Sequence, residues 1–133
     1  MKKSMTVILS LIGLVTLVAC SQDRYKAVMN VESNIYNSWS MNYKYLDGVK
    51  TKTMTVKDGQ IATFKVDIVS EEGELDFRIT SADGTEAYVG IDLPTSTFEV
   101  FVDKSGKYEL TVEAQDHKGS VKIELVTEEG KYD

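Results

Sequence analysis

Three kinds of side chain in this sequence have types that could do chemistry. The only cysteine, Cys20, closes the run Leu17-Val18-Ala19-Cys20. A thiol without a second cysteine forms no disulfide within its own chain, so what it offers is nucleophilicity. The only histidine, His117, lies in Asp116-His117-Lys118-Gly119. Acyl transfer needs a nucleophile, a base and a group that orients the base. The chain has no Gly-x-Ser-x-Gly elbow, and the surroundings of His117 read as a hairpin turn. The expectation is a solvated turn histidine and no catalytic residue. One histidine cannot build a zinc site, which takes several such ligands. The densest acidic group is Glu71, Glu72, Glu74 and Asp76. It lacks the Asp-x-Asp-x-Asp-Gly pattern of a calcium loop and reads as a solvated face. No metal or other cofactor is expected, and no glycine loop suits a phosphate.

Aromatic rings can stack on the C–H faces of sugars. Trp39, Tyr43 and Tyr45 fall on one face of an alternating run. Two readings stand for them. They form a platform that contacts a ligand, or they are the first strand's share of the core, where large aromatics usually sit. Tyr88 and Phe101 are the aromatics expected on the surface. Phe101 is out of phase with Phe98, Val100 and Val102.

The cysteine must be positioned by what precedes it. Met1-Lys2-Lys3 is a basic start, and Met5 to Val18 is an uncharged apolar run. A basic start, a short apolar stretch and small residues before a cut make a secretory signal. The run is shorter than the about 20 residues that span a bilayer. Leu17, Val18, Ala19 and Cys20 resemble the lipobox of bacterial lipoproteins at every position. That resemblance implies removal of residues 1–19, a diacylglyceryl thioether on Cys20, and a lipid anchor on the extracytoplasmic face of the cell membrane. Lys2 and Lys3 leave with the signal, so the formal charge falls from −6 to −8. An acidic surface argues against nucleic acid as a partner and against direct adhesion to anionic lipid headgroups, so the domain is expected to stand off the membrane on its anchor.

Residues 20–37 are mixed and polar after the cysteine, with a helical turn conceivable over Asp23–Met29. They read as a lipidated tether that could reach about 55 Å when extended. From Ser38 the chain alternates apolar and polar residues in short runs. The breaks fall at Asp47-Gly48, Asp58-Gly59, Glu71-Glu72-Gly73, Asp83-Gly84, Pro94, Asp103–Gly106 and Asp116–Gly119. Period-two runs with closely spaced turn signals predict an all-β fold. Eight strands with one apolar face each bury those faces in a two-sheet antiparallel β-sandwich over residues 38–133. The run Val49–Val56, with Lys50 and Lys52, reads as a protected edge strand.

The stretch Asp103-Lys104-Ser105-Gly106-Lys107-Tyr108 resembles, with one extra residue, the signature before a late strand of immunoglobulin-like domains. The resemblance implies a corner role for Tyr108, with its ring in the core and its hydroxyl on nearby backbone. Jelly-roll domains share the pattern, and strand order stays open between the two. The longer pattern, from Trp39-Ser40-Met41 to Gly119-Ser120-Val121, is similar to small β-sandwich lipoproteins of unassigned function in Gram-positive bacteria. It implies a place and a fold, and brings no catalytic residue. The expected function is a non-enzymatic binding or interaction module at the cell envelope, with an envelope protein or a glycan as partner. The alternatives are a carbohydrate-binding module using an aromatic face, and an inhibitor or accessory subunit of an envelope enzyme.

Overall fold

The computed structural model describes residues 24–129. Cys20 and the lipobox residues Leu17, Val18 and Ala19 lie outside the described residues. Six antiparallel strands follow one another: β1 (Arg24–Ile35), β2 (Ser38–Val56), β3 (Gln60–Ser81), β4 (Glu86–Gly90), β5 (Ser96–Val102) and β6 (Gly106–Glu129). They form one hydrogen-bonded sheet in the order β1-β2-β6-β3-β4, with β5 also on β3. The first half of β3 pairs with β5 from Ala62 to Ile68, and its second half pairs with β4 from Phe77 to Thr80.

The eight alternating runs are all present, but three of the expected turns are not turns. Asp47-Gly48 lies within β2, Glu71-Glu72-Gly73 within β3, and Asp116–Gly119 within β6. The register shifts at each of them, and they lie side by side: Leu46 faces His117, and Lys118 faces Glu72. A bulge adds a residue, so the parity of the alternation changes while the same face stays inward. The buried positions show this. Trp39, Met41 and Tyr43 give way to Leu46, Met54 and Val56. Ala62, Phe64, Val66 and Ile68 give way to Leu75, Phe77 and Ile79. Tyr108, Leu110, Val112 and Ala114 give way to His117, Val121, Ile123 and Leu125.

One face is therefore inward along the whole length of each long strand. The sheet folds along the row of bulges and closes on itself as an antiparallel β-sandwich. One layer holds the start of β2, the end of β6, the start of β3, and β5. The other holds the end of β2, the start of β6, the end of β3, and β4. Ring contacts cross between them: Phe64 meets Tyr108 edge-on with centroids 5.7 Å apart, and Tyr88 meets Phe98 at 4.8 Å. In an immunoglobulin-type sandwich each strand belongs to one sheet; in this one three strands belong to both layers.

Glycine marks the bulges because backbone crowds there. Gly73 has φ of 80°, and a Cβ on it would sit 2.1 Å from the Asp116 carbonyl oxygen. A Cβ on Gly119 would sit 1.8 Å from the Val69 carbonyl oxygen. These residues look like turn signals in sequence, yet they serve close approach between strands.

One further expectation is corrected and another holds. The tether of residues 20–37 is mostly strand, since β1 pairs with β2 from Arg24 opposite Val49 to Ile35 opposite Ser38. β1 is an edge strand, and only Ala27 and Met29 on it pack against the core. It therefore shows no apolar alternation to read. The run with Lys50 and Lys52 is an edge of its layer, as read: beyond Val49 it pairs with β6 on one side, and β1 stops opposite Val49. Lys50 is buried, its Nζ 2.8 Å from both Glu32 carboxylate oxygens and 4.2 Å from the centre of the Tyr25 ring. Trp39 Nε1–H donates to the same carboxylate at 3.2 Å, and Lys52 donates to Asn34. Burial pushes the Glu32 carboxyl up, but the bonds from Lys50 and Trp39 outweigh it and hold the group below its ordinary value. These lysines tie the end of β2 to β1.

The expected turns at Asp58-Gly59 and Asp83-Gly84 form as read, with Gln60 N–H donating to Lys57 at 3.1 Å and Ser81 N–H to Thr85 at 2.8 Å. The links β2–β3 and β5–β6 cross between layers and meet at the end of the sandwich away from the bulges, where Ser105 Oγ donates to Asp58 at 2.9 Å. Tyr108 enters the core beside them, and its hydroxyl donates to the Lys104 carbonyl at 2.7 Å, the corner geometry the sequence resemblance implies.

Candidate functional site

His117 is not a solvated turn residue. It sits in β6 at the bulge row with 0% exposure. Tyr43 Oη lies 2.6 Å from its Nδ1, and Ser70 Oγ lies 2.8 Å from its Nε2. The single hydroxyl hydrogen of Ser70 goes to the Leu93 carbonyl at 2.8 Å. Ser70 therefore accepts from Nε2–H, and the bare Nδ1 accepts from the Tyr43 hydroxyl. Burial lowers the His117 pKa and favours this neutral ring. It also pushes the Tyr43 phenol upward. The chain of bonds runs Tyr43 to His117 to Ser70 to Leu93. A base that activates Ser70 would need a bare nitrogen facing it, and the nitrogen facing it carries the proton. The arrangement staples β2, β3, β6 and the β4–β5 connection at the fold line.

The aromatic face is mostly core. Trp39 is 1% and Tyr43 2% exposed, so neither contacts a ligand at the surface; that reading is corrected. The face is inward because β6 and the opposite layer cover it. Tyr88 is also half-buried, between Phe77 and Phe98. Tyr45 departs from its neighbours because the bulge at Leu46 turns it out of the inward row.

Tyr45 lines an open depression of about 440 Å³ with Arg24, Tyr25, Lys26, Asp47 and Gly48. Its hydroxyl donates to Asp116 at 2.8 Å, and the Asp116 N–H donates to Asp47 at 3.0 Å. The bond to Asp116 pushes the Tyr45 phenol up to about 12. Both carboxylates are thus engaged. Among the described residues Arg24 and Lys26 have no ion-pair partner. This is the end of the molecule nearest Cys20, with Ser21, Gln22 and Asp23 between the cysteine and β1.

A second cleft lies at the opposite end, where the β3–β4 turn meets the β5–β6 link. It encloses about 190 Å³ and is lined by Ser81, Asp83, Thr85, Ala87, Phe101, Val102, Asp103, Lys104 and Tyr108. Phe101 is 61% exposed, as its phase predicts. Ser81 Oγ and the Thr85 N–H both donate to Asp83, and these bonds hold its carboxyl at about 2. Sequence phase alone singles out Phe101; its polar neighbours come from two separate connections and only the fold brings them together.

The acidic run Glu71–Asp76 is divided between two places. Glu74 and Asp76 line an outer groove with Asp92 and Glu113, and Asp76 accepts the Asp92 N–H at 2.8 Å. Arg78 lies between Glu86 and Glu113, at 3.9 and 3.8 Å. Glu71 and Glu72 sit at the bulge, with Glu71 4.0 Å from Lys118. Among the described residues no cluster of three or more potential ligands is arranged to hold a metal ion.

No family model matches this chain. No curated protein matches it either. Solved structures resemble it in part. A CBM4 structure aligns at TM-score 0.43 and 10% identity, over 77% of each chain. The xylan-binding module CBM86 from Roseburia intestinalis aligns at 0.42 and 12% identity, over 82% of this chain and 96% of that one. TmCBM61, solved with β-1,4-galactotriose, aligns at 0.39 and 12% identity, over 79% and 88%.

Proposed function

We propose that this protein is a non-enzymatic binding module, held by lipid on Cys20 at the outer face of the cell membrane, that takes a glycan in the cleft beside Phe101. The observation that carries the glycan reading is the Phe101 ring, exposed at the rim of a cleft that it shares with Ser81, Asp83, Thr85, Asp103 and Lys104. An open phenyl face suits the C–H face of a sugar. Ser81, Thr85, Asp83, Asp103 and Lys104 offer both donors and acceptors for hydroxyl groups. Asp83 stays ionised, and so an acceptor, across the physiological range. The anchor rests on the full lipobox at Leu17–Cys20. The non-enzymatic reading rests on the direction of the bonds around His117.

A glycan array probed with the mature chain tests this. Binding is expected, with a loss of about tenfold or more in Phe101→Ala and none in Tyr45→Ala. The reverse pattern would move the ligand to the other depression, and an array without any binding would reject the glycan reading. The anchor has its own test. A Cys20→Ser protein that still fractionates with membranes and takes up labelled fatty acid would disprove it.

A second reading, an accessory or inhibitory subunit, draws on β1. This edge strand exposes Val28, Val31 and Ile35 beside an unpaired row of backbone groups. Such an edge can accept a strand from a partner. Co-purification of an envelope enzyme with the lipoprotein would favour it.

A further inference from the structure

We infer that the end of the sandwich carrying Arg24, Tyr25, Lys26 and Tyr45 rests on the phospholipid headgroups of the membrane that holds Cys20. The inference depends on the lipid-anchor reading above. Its first ground is length. With β1 starting at Arg24, four residues after Cys20, the span from the cysteine to the sandwich is about 14 Å when fully extended. That keeps the Arg24 end within about 14 Å of the anchor and makes it the end of the domain nearest the lipid.

The second ground is the chemistry of that end. Arg24 and Lys26 are exposed and, among the described residues, without an ion-pair partner, whereas the chain as a whole is acidic. Cations near a membrane surface are drawn to lipid phosphates. Tyr25 is 45% exposed and Tyr45 lines the same depression. Tyrosine, with an apolar ring and a polar tip, favours the membrane–water boundary. The two acidic groups closest by are tied up, Asp116 by the Tyr45 hydroxyl and Asp47 by the Asp116 N–H. Glu74, Asp76, Asp92 and Glu113 line the neighbouring groove past Gly48 and Val49, so the basic pair meets the lipid on the β1 side of this end. The consequence is an orientation. The cleft beside Phe101, at the opposite end, points away from the bilayer.

The test uses the mature lipidated protein in vesicles of phosphatidylcholine with phosphatidylglycerol. Cys20 is blocked by its thioether, so an introduced cysteine takes a fluorophore alone. Lys44→Cys reports the end beside Tyr45, and Ser105→Cys reports the far end. With a nitroxide on the lipid headgroup, strong quenching is expected at position 44 and little at 105. Adding Arg24→Glu and Lys26→Glu to the Lys44→Cys protein should lower the docked fraction relative to the lifted one by about tenfold. Equal quenching at both positions, or quenching unchanged by the charge reversals, would overturn the inference. Mass spectrometry of the reconstituted protein keeps the two readings apart. A chain without the diacylglyceryl mass fails the anchor reading, and a lipidated chain without oriented quenching fails this one.

Discussion

At the scale of single residues, the fold line is governed by His117. A buried imidazole with both nitrogens bonded is neutral in the native state and its folded pKa lies below the ordinary 6.5. In the unfolded chain it takes a proton as pH falls through that value. Between the two pKa values the unfolded state binds one more proton than the native state, so stability is full above pH 6.5 and falls as pH drops. Stability measured by urea unfolding is expected to fall as pH drops below 6.5, before the carboxylates titrate. In His117→Gln this slope should vanish, although the variant is weaker at every pH. An unchanged slope in the variant would show that another group carries it. Very little of this was legible in the sequence. Asp-His-Lys-Gly reads as a solvated turn by composition, and only the pairing of β6 with β2 and β3 brings Tyr43 and Ser70 to the ring. Phe101 was legible, because strand phase depends on neighbours in the same strand. Trp39 and Tyr43 were legible as one face but not as buried, since burial depends on the opposing layer.

At the scale of elements, three long strands bend where the sequence suggests they stop. The alternating runs predict the inward residues correctly on either side of each break, because period two is local. The break itself is ambiguous. A bulge and a hairpin turn both call for glycine and both shift the parity of the pattern. The structure distinguishes them by what crowds the glycine. Gly59 and Gly73 have nearly the same φ, 81° and 80°, but a Cβ at Gly59 would have nothing within 4 Å. Gly59→Ala should therefore cost about 1 kcal/mol, the left-handed penalty alone. Gly73→Ala adds a collision with the Asp116 backbone and should cost about 2 kcal/mol more. Urea midpoints of the two variants measure the difference. Equal costs would mean that the strands do not approach as closely as described. β1 escaped the sequence reading for a different reason. An exposed edge strand buries little, so its residues carry no alternation, and its pairing with β2 is set by backbone bonds that composition does not record.

At the scale of the whole molecule, the early start of β1 alters the account of the protein most. A long tether would leave the domain free to turn. On the lipid-anchor reading, three residues after Cys20 would give it one end near the lipid and one end away. Cations and tyrosines lie at the first end, and an exposed phenyl ring among polar groups lies at the second. The central claim is that ligand is taken at the second end. Titrating the isotope-labelled mature chain with its best array glycan, and following backbone amide shifts, tests this most directly. The account predicts that the largest changes fall at Asp83, Thr85, Phe101, Asp103 and Lys104, with Tyr25 and Tyr45 unmoved. Changes centred on Tyr25, Tyr45 and Asp47, with the Phe101 cleft silent, would contradict it.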